Sequence, residues 1–434
     1  MVQLLLILFA LYRWVRKDRV TFYLIIQFLV FKCYHLLPLG SIRGDDLALL
    51  GIIITSIISI FNNHVIDKKL VRHTQCFIGI ILIISLISLT YYQLPFNQVI
   101  SGCRHYLFIL CLFDISRMTH TELTIFLKKL FYLNLIACAL FIIYTFTHIP
   151  IYHTEYSNSS VIKLGFLGLK RVYTFPQLIS FTCLYSLFIK GFKDINGKLS
   201  MLVALGCLLC IQSRGMILNV TLVASLGYMI TNNKSSSKVI GLIFIILAAY
   251  FINETIFSGE TGTKTANDLS QIFSGDVFRT GYEVEGDATF TYRIALLMST
   301  IHHMIEVSII SLLFGFGFFI EISKSMVINL GILNLARESW NGYGLFTPDI
   351  SYVNILCNLG LIGTFFYIRF FQLIAKKSYA KIKDIPVNKY ALISFLYILY
   401  LLLIGLDGST ITYPSCLLIP FMIMFCSNTY SLKK

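Results

Sequence analysis

LSMLVALGCLLCIQSRGMILNVTLVASLGYMI, residues Leu199 to Ile230, decides the fold class because Arg214 is its one charged residue. Apolar arms of 14 and 15 residues flank the sequence Ser213-Arg214-Gly215. At about 1.5 Å per residue each arm reaches roughly 21–23 Å, which is less than a hydrocarbon core of about 30 Å. The stretch therefore predicts a membrane-embedded helical hairpin whose turn lies below the outer surface.

Arg214 in this turn is a candidate functional residue. A charge inside the membrane costs at least about 2.5–3.5 kcal/mol, so a guanidinium there needs an anion, carbonyl groups or a water-filled cavity. The alternative is that tilted arms let Arg214 reach the lipid headgroups. The short arms favour a ligand-binding role.

The composition of the chain indicates an integral membrane protein. Of the 434 residues, 57% are hydrophobic and 13% charged, against about 45–50% and about 25% in soluble domains. A formal charge of +14 on so apolar a chain excludes a disordered protein and argues against a nucleic-acid partner.

Cysteine usage points to packing. The 11 cysteines lie in or beside apolar segments, which does not suit a secreted disulfide framework. Cys207 and Cys210 have the spacing of metal ligands but no second pair or histidine nearby, so they are interpreted as small apolar packing residues. No metal is expected.

The apolar runs predict an all-α polytopic membrane protein with about twelve transmembrane helices in a single domain, residues 1–434. The run Met1 to Tyr12 is shorter than a full span needs; it is predicted to be a short first helix, with a thirteenth span as the open alternative. The predicted spans are Val20–Leu39, Leu47–Phe61, Thr74–Tyr92, Phe96–Phe113, Leu130–Thr147, Tyr173–Ile189, Leu199–Gln212, Met216–Ile230, Val239–Ile252, Ile350–Phe371, Tyr390–Leu406 and Pro414–Cys426.

Lys and Arg set the expected orientation. Of the 35, 22 lie in alternate connections and at the tail, and such loops face the cytoplasm. This places Asn253 to Asp349 outside as one large loop that contains short helices. Its first part, up to Arg293, is acidic. In its second part, Val307–Ile320 is predicted to be a re-entrant or interfacial helix ending at Gly315-Phe316-Gly317.

Four further arginines are candidates for binding an anion. Arg104 lies inside a predicted span, where ligand binding and helix pairing are both open. Arg171 lies at the external mouth of a span; a solvated arginine is the alternative. Arg279 and Arg293 flank the acidic stretch and could form salt bridges within the loop, but Arg293 begins an apolar run that should anchor it at the membrane surface. Arginine suits a diphosphate because its contacts are bidentate and permanently charged.

Asp349 closes the loop immediately before a predicted span. A carboxylate at a helix start is stabilised by the helix dipole, so it could be an N-cap. The same position could make it a general base at the mouth of a cavity. The two roles are compatible. No P-loop, GxGxxG or DxD run is present, so no cofactor is expected.

With these residues placed, the sequence resembles bacterial O-antigen polymerases (Wzy) and, more distantly, O-antigen ligases. The likeness runs in motif order from about Val161 to Phe371. Its elements are Arg171 before Pro176-Gln177, Ser213-Arg214-Gly215, Arg293 followed by an apolar helix and Leu312-Leu313-Phe314-Gly315-Phe316-Gly317, and Asp349-Ile350-Ser351-Tyr352 with Gly360-Leu361-Ile362-Gly363.

This sequence departs from the ligase pattern at one position, and the difference distinguishes between the two families. The ligases carry a His-Asn pair eleven residues before the last Gly-Leu-Ile-Gly element, and this sequence has Asp349 there. The resemblance therefore favours a polymerase over a ligase-like glycan transferase and puts a histidine base in doubt.

The resemblance implies a glycosyltransferase in the bacterial inner membrane, with its active site facing the periplasm. It would transfer a growing glycan from undecaprenyl diphosphate to a lipid-linked repeat unit during lipopolysaccharide biosynthesis, without a metal. It implies catalytic roles for Arg214, Arg293 and Asp349, and substrate binding by Arg171, Arg104, Arg279 and Tyr352. A chain-length regulator protein is a further implied partner.

A transporter or flippase of lipid-linked oligosaccharides is the alternative from another class. It would also place arginines in a cavity. Alternating access, however, favours two comparable halves and short loops on both faces. The single large external loop and the lack of an internal repeat argue against it.

Overall fold

The computed structural model describes residues 2–31, 44–60, 68–147, 161–164, 170–172, 175–191, 195–211, 213–231, 289–318, 351–382 and 388–406. Within these ranges the chain is mostly helical. The helices are α1 (Val2–Val15), α2 (Arg19–Val30), α3 (Gly44–Ile60), α4 (Lys68–Thr90), α5 (Phe96–Leu107), α6 (Cys111–Ile115), α7 (His120–Thr147), α8 (Ile179–Tyr185), α9 (Ile195–Ile211), α10 (Arg214–Thr231), α11 (Thr289–Val307), α12 (Ile309–Phe314), α13 (Ser351–Ile382) and α14 (Lys389–Ile404).

Strands β1 (Val161–Leu164) and β2 (Lys170–Val172) form a short antiparallel pair in an otherwise helical structure. A 3₁₀ turn, Phe108–Leu110, joins α5 to α6, and a π-helical turn, Ser186–Lys190, extends α8. The all-α prediction thus holds for the architecture, with this one small addition.

Several helices have membrane-spanning character. In the described residues, four segments are long and apolar enough to cross a membrane: Lys68–Thr90, Phe96–Ile115, His120–Thr147 and Ser351–Ile382. Shorter apolar helices accompany them. On helix α4, the apolar side chains of Leu82 and Leu86 are 60% and 62% exposed, which is unfavourable in water and favourable in lipid. Soluble proteins rarely leave contiguous apolar patches open.

The described part of each predicted span is largely helical, whereas residues 32–39 of the first span and the whole of Val239–Ile252 and Pro414–Cys426 lie outside the described residues. Some boundaries differ. The span predicted from Tyr173 begins as a helix only at Ile179. Pro176 disfavours the helical conformation in the residue before it, and its carbonyl accepts from Ile179 N at 3.1 Å in the turn that precedes the helix. Helix α13 continues well past the predicted end at Phe371.

Contacts between helices fix the relative directions of α4, α13 and α14. Ser351 N donates to Gly405 O at 3.0 Å, and the hydroxyls of Ser378 and Ser394 are 2.8 Å apart, so α13 and α14 are antiparallel. Helix α4 is also antiparallel to α13: its His73 ring contacts Phe366 O at 2.8 Å, while Ile84 lies beside Gly363.

The turn between α1 and α2 is closed by Asp18, the N-cap of α2. Its carboxylate accepts from Thr21 N at 3.0 Å, from the Thr21 hydroxyl at 2.7 Å, and from the Arg13 guanidinium. Burial alone would raise the pKa of Asp18, but the hydrogen bonds from Thr21 and the charge of Arg13 outweigh it and hold the pKa of this carboxyl below its usual range.

This turn gives a pH-dependent prediction. Because the pKa of Asp18 is lower in the folded state, the stability it contributes is present above the unfolded pKa, about 3.9, and is lost as the pH falls through the folded value. We expect Asp18→Ala to cost about 1 kcal/mol at neutral pH. Asp18→Asn should keep the cap and flatten the loss of stability below about pH 4. Unfolding curves from pH 3 to 7 measure both effects, and an unchanged acid limb in Asp18→Asn would contradict the assignment.

Candidate functional site

Two helix breaks meet at the centre of the candidate site. Helix α12 ends at Gly315, with φ +79° and ψ −174°, and α13 is kinked at Gly360, with φ +62° and ψ −171°. Such angles are essentially restricted to glycine. A Cβ on Gly360 would lie 2.3 Å from Gly315 N and 2.4 Å from Leu313 O. The two backbones are therefore in direct contact, with no space for a side chain.

Hydrogen bonds satisfy the backbone groups freed by the breaks. Phe316 N donates to Cys357 O at 2.7 Å, and the Tyr92 hydroxyl donates to Gly315 O at 3.0 Å. Irregular backbone at membrane depth is tolerated only where protein covers it or where it lines a watery cavity. Here the neighbouring helices supply the cover.

The segment after Gly315 is held between α4 and α5. Phe318 N donates to the Ser88 hydroxyl at 3.0 Å, and Gly317, with φ +85°, faces the same serine. Gly102 of α5 faces Phe318 so closely that a Cβ there would be 2.9 Å from the phenylalanine Cβ. Small residues thus allow three segments to pack closely around this turn.

The structure places the start of the helix predicted at Val307–Ile320 two residues later, at Ile309. The helix before it, α11, runs without a break to Val307, and the break falls at Ser308. The reason is local capping: Ser308 Oγ accepts from Ser311 N at 3.1 Å, and Ser311 Oγ donates to Met304 O at 2.8 Å. The helical end before Gly315 agrees with the sequence prediction.

An apolar cluster joins α11, the turn after α12, and the first turns of α13. Its buried members are Met304, Phe316, Val353, Leu356 and Cys357. Leu297 and Ile301 of α11 pack against it. We call α11, α12 and the first turns of α13, with the Gly315–Gly360 contact at their centre, the glycine-locked unit.

One predicted catalytic residue lies on this unit, and a second precedes part of it in the sequence. Arg293 lies on α11, partly exposed, one turn before Leu297. Asp349 lies outside the described residues, two positions before Ser351, the first residue of α13. Helix α11 carries Arg293, and α13 follows Asp349 in the sequence. These two helices pack against each other. Arg279 also lies outside the described residues.

Tyr352 anchors the start of α13. Its hydroxyl donates to Leu402 O on α14 at 2.6 Å, and its ring packs against Gly405, where a Cβ would be 3.2 Å away. The hydroxyl is thus engaged within the protein. Substrate contact by the ring stays a prediction.

Arg214 begins α10, as the hairpin prediction requires. The arms are somewhat longer than predicted: α9 has 17 residues and α10 has 18, which correspond to about 26 and 27 Å. Ser213 precedes the helix, and its carbonyl accepts the first hydrogen bond of the helix from Ile217 N at 3.1 Å. The side chain of Arg214 is outside the described part of the structure.

Arg171 lies in β2, where its backbone pairs with Ile162 of β1. Strand β2 contacts α9, the helix that leads into the turn before Arg214. Helix α10 in turn packs on α14, with Gly227 facing Leu396. Because α14 also packs on α13, the hairpin and the glycine-locked unit share one supporting helix.

Arg104 is placed in a helix-helix pair. Its side chain is 9% exposed, and its Nη1 donates to Asp46 Oδ1 on α3 at 2.9 Å, while Asp46 is 43% exposed. The sequence left ligand binding and helix pairing open, and the second is present here. Contact between Arg104 and a substrate stays a prediction.

A buried carboxylate that the sequence analysis did not single out lies on α6, next to the C-terminal end of α3. Asp114 is fully buried. Its Oδ1 accepts from Trp14 Nε1 and Ser59 Oγ, both at 3.0 Å, and from Arg19 Nε at 3.4 Å, while Oδ2 accepts from the Tyr23 hydroxyl at 2.9 Å. Its position in an apolar run was the available signal, because such carboxylates need partners.

Comparison with known proteins adds no family assignment. No family model and no curated protein matches the chain. A function for this chain therefore rests on its residues and their geometry.

Proposed function

We propose that the chain is a membrane-embedded glycosyltransferase of the O-antigen polymerase type. In this proposal it crosses the bacterial inner membrane about twelve times, as the apolar runs predict, and its site faces the periplasm. The donor is a growing glycan on undecaprenyl diphosphate, and the acceptor is one lipid-linked repeat unit.

The observation that carries the proposal is the direct contact between Gly315 and Gly360. These glycines belong to two sequence elements that carry the resemblance to the polymerases, and they are far apart in the chain. Their contact supports treating the elements as parts of one unit. Arg293 lies on α11 of that unit, and Asp349 precedes α13 by two positions in the sequence.

The candidate residues suit a simple transfer. The acceptor hydroxyl oxygen bonds to the anomeric carbon, the bond from that carbon to the diphosphate oxygen breaks, and undecaprenyl diphosphate leaves with the electron pair. Asp349 takes the hydroxyl proton. Arg293 and Arg214 stabilise the charge on the departing diphosphate, for which the guanidinium fork is well shaped.

Two further arginines are assigned supporting contacts. Arg171 lies on a strand against α9, next to the hairpin, so we assign it to the diphosphate or the first sugar. Arg104 is tied to Asp46, and we assign it a positioning role in which the ion pair fixes α5 against α3.

Arg293→Gln tests the proposal. We expect it to reduce polymer formation from purified lipid-linked repeat units by about 100-fold or more, the cost of losing one donor to a developing anion. The control is Arg369→Gln on α13, whose guanidinium bonds to Gln372 on the same helix. The readout is a glycan ladder on a gel. Equal ladders from the two variants would remove Arg293 from the site.

Asp349→Asn tests the assignment of the base. Loss of a general base costs about 10²–10⁴-fold in rate, whereas a helix cap is retained by asparagine. We therefore expect a large loss of elongation with normal folding. Asp268→Asn in the same loop is the matched control and should elongate normally. Equal activities of the two variants would reduce Asp349 to a helix cap.

A further inference from the structure

A groove on the outside of the helix bundle is separate from the candidate site. It has a volume of about 500 Å³ and lies between α1, α2 and α7. Its lining residues are Leu6, Thr21, Leu24, Ile25, Phe28, Lys129, Tyr132, Leu133 and Ile136. Apart from the residues at one end, the walls are aliphatic or aromatic.

The walls of the groove are apolar, and polar residues lie towards one end of it. Thr21 to Phe28 on α2 and Lys129 to Ile136 on α7 each cover about 10 Å of helix. Both stretches begin with a polar residue and end with an apolar one. The polar end is on the side to which the sequence analysis assigns the connections rich in Lys and Arg.

Two lysines make the polar end positive. Lys129 lines the groove, and Lys190 lies beside it, with Nζ donating to the Tyr132 hydroxyl at 2.8 Å and lying 5.0 Å from the centre of that ring. In the described part of the chain, no carboxylate forms an ion pair with either lysine. Asp18, the nearest acid along α2, is already paired with Arg13.

We propose that this groove binds an anionic phospholipid of the surrounding bilayer. One acyl chain lies along the apolar walls between α2 and α7, and the phosphate contacts Lys129 and Lys190. Charge complementarity selects the headgroup, since each lysine near a membrane surface contributes a measurable attraction for anionic lipid. The site is independent of the proposed transferase reaction.

The test uses the purified full-length chain after delipidation, with phosphatidylglycerol as the probe and bound lipid counted by native mass spectrometry. Lys129→Gln should weaken phosphatidylglycerol binding about fivefold, the expected contribution of one lysine. Lys128→Gln is the matched control: this exposed neighbour is absent from the groove lining and should bind normally. Equal weakening by both variants would overturn the site, because it would show only general attraction to a basic surface.

A second pair of variants tests the apolar part without changing charge. Ile136, 57% exposed, lines the groove, whereas Ile125, 42% exposed on the same helix, does not. Ile136→Trp should fill the groove and reduce phosphatidylglycerol binding severalfold, with Ile125→Trp unchanged. Phosphatidylcholine should bind more weakly than phosphatidylglycerol to the unmodified protein. Binding that is indifferent to Ile136→Trp, or to the headgroup, would overturn the proposal.

Discussion

Gly360→Ala is expected to destabilise the protein by about 3–5 kcal/mol and to abolish activity. Any Cβ at this position would lie 2.3 Å from Gly315 N and 2.4 Å from Phe314 N, and these are backbone atoms that cannot rotate away. Alanine would also be forced into a conformation that costs about 1–3 kcal/mol. Overpacking of a tight contact typically adds about 1–3 kcal/mol.

Gly79→Ala is the matched control for this prediction. Gly79 lies in α4, and a Cβ there would have no neighbour within 4 Å. Alanine in an exposed helix is favoured over glycine by about 0.4–1 kcal/mol, so this variant should be neutral or slightly more stable. Unfolding of both purified variants, followed against temperature in the same detergent, measures the difference. A Gly360→Ala protein as stable as Gly79→Ala would contradict the glycine-locked unit.

Asp114→Asn is the second substitution with a large expected effect, about 3–5 kcal/mol. The carboxylate is fully buried and accepts four hydrogen bonds. Asparagine keeps the size but replaces one acceptor oxygen by a donor, and it removes the charge opposite Arg19. Removing one partner of a buried ion pair is costly because the remaining charge is left uncompensated.

Trp14 gives this prediction a direct optical readout. The chain has two tryptophans, Trp14 and Trp340, so Trp340→Phe leaves Trp14 as the only tryptophan, which can be excited selectively over tyrosine. In that background Asp114→Asn should shift the Trp14 emission and lower the unfolding temperature. Glu122→Gln is the control, since it removes one charge from an exposed capping box that glutamine can replace. If Glu122→Gln destabilised as much as Asp114→Asn, the network would have no special importance.

Local features of the sequence predicted the helices well. In the described ranges the apolar runs form helices, because their residues must pair their backbone groups internally in an apolar environment. The α9–α10 hairpin around Ser213 and the helix end before Gly315 follow in the same way from short stretches of sequence. The exceptions are also local: Pro176 delays α8, and Ser308 separates α11 from α12.

Long-range contacts were beyond prediction from the sequence. Arg104 and Asp46 are 58 positions apart, and Trp14 is 100 positions from Asp114, so no spacing rule connects them. The glycines at 315 and 360 belong to separate sequence elements, and their contact depends on how α12 packs against α13. The packing of the helices, rather than their positions, determines which polar residues meet.

The most direct test of the proposed function compares bond formation with lipid release. Purified protein in lipid vesicles is incubated with lipid-linked repeat units, and new glycosidic linkages and free undecaprenyl diphosphate are both quantified over time. A polymerase predicts that the two rise together, one lipid diphosphate for each linkage, and that Arg293→Gln slows both equally. Movement of the lipid-linked unit across the vesicle membrane without linkage formation or lipid release would contradict the proposal and favour a flippase.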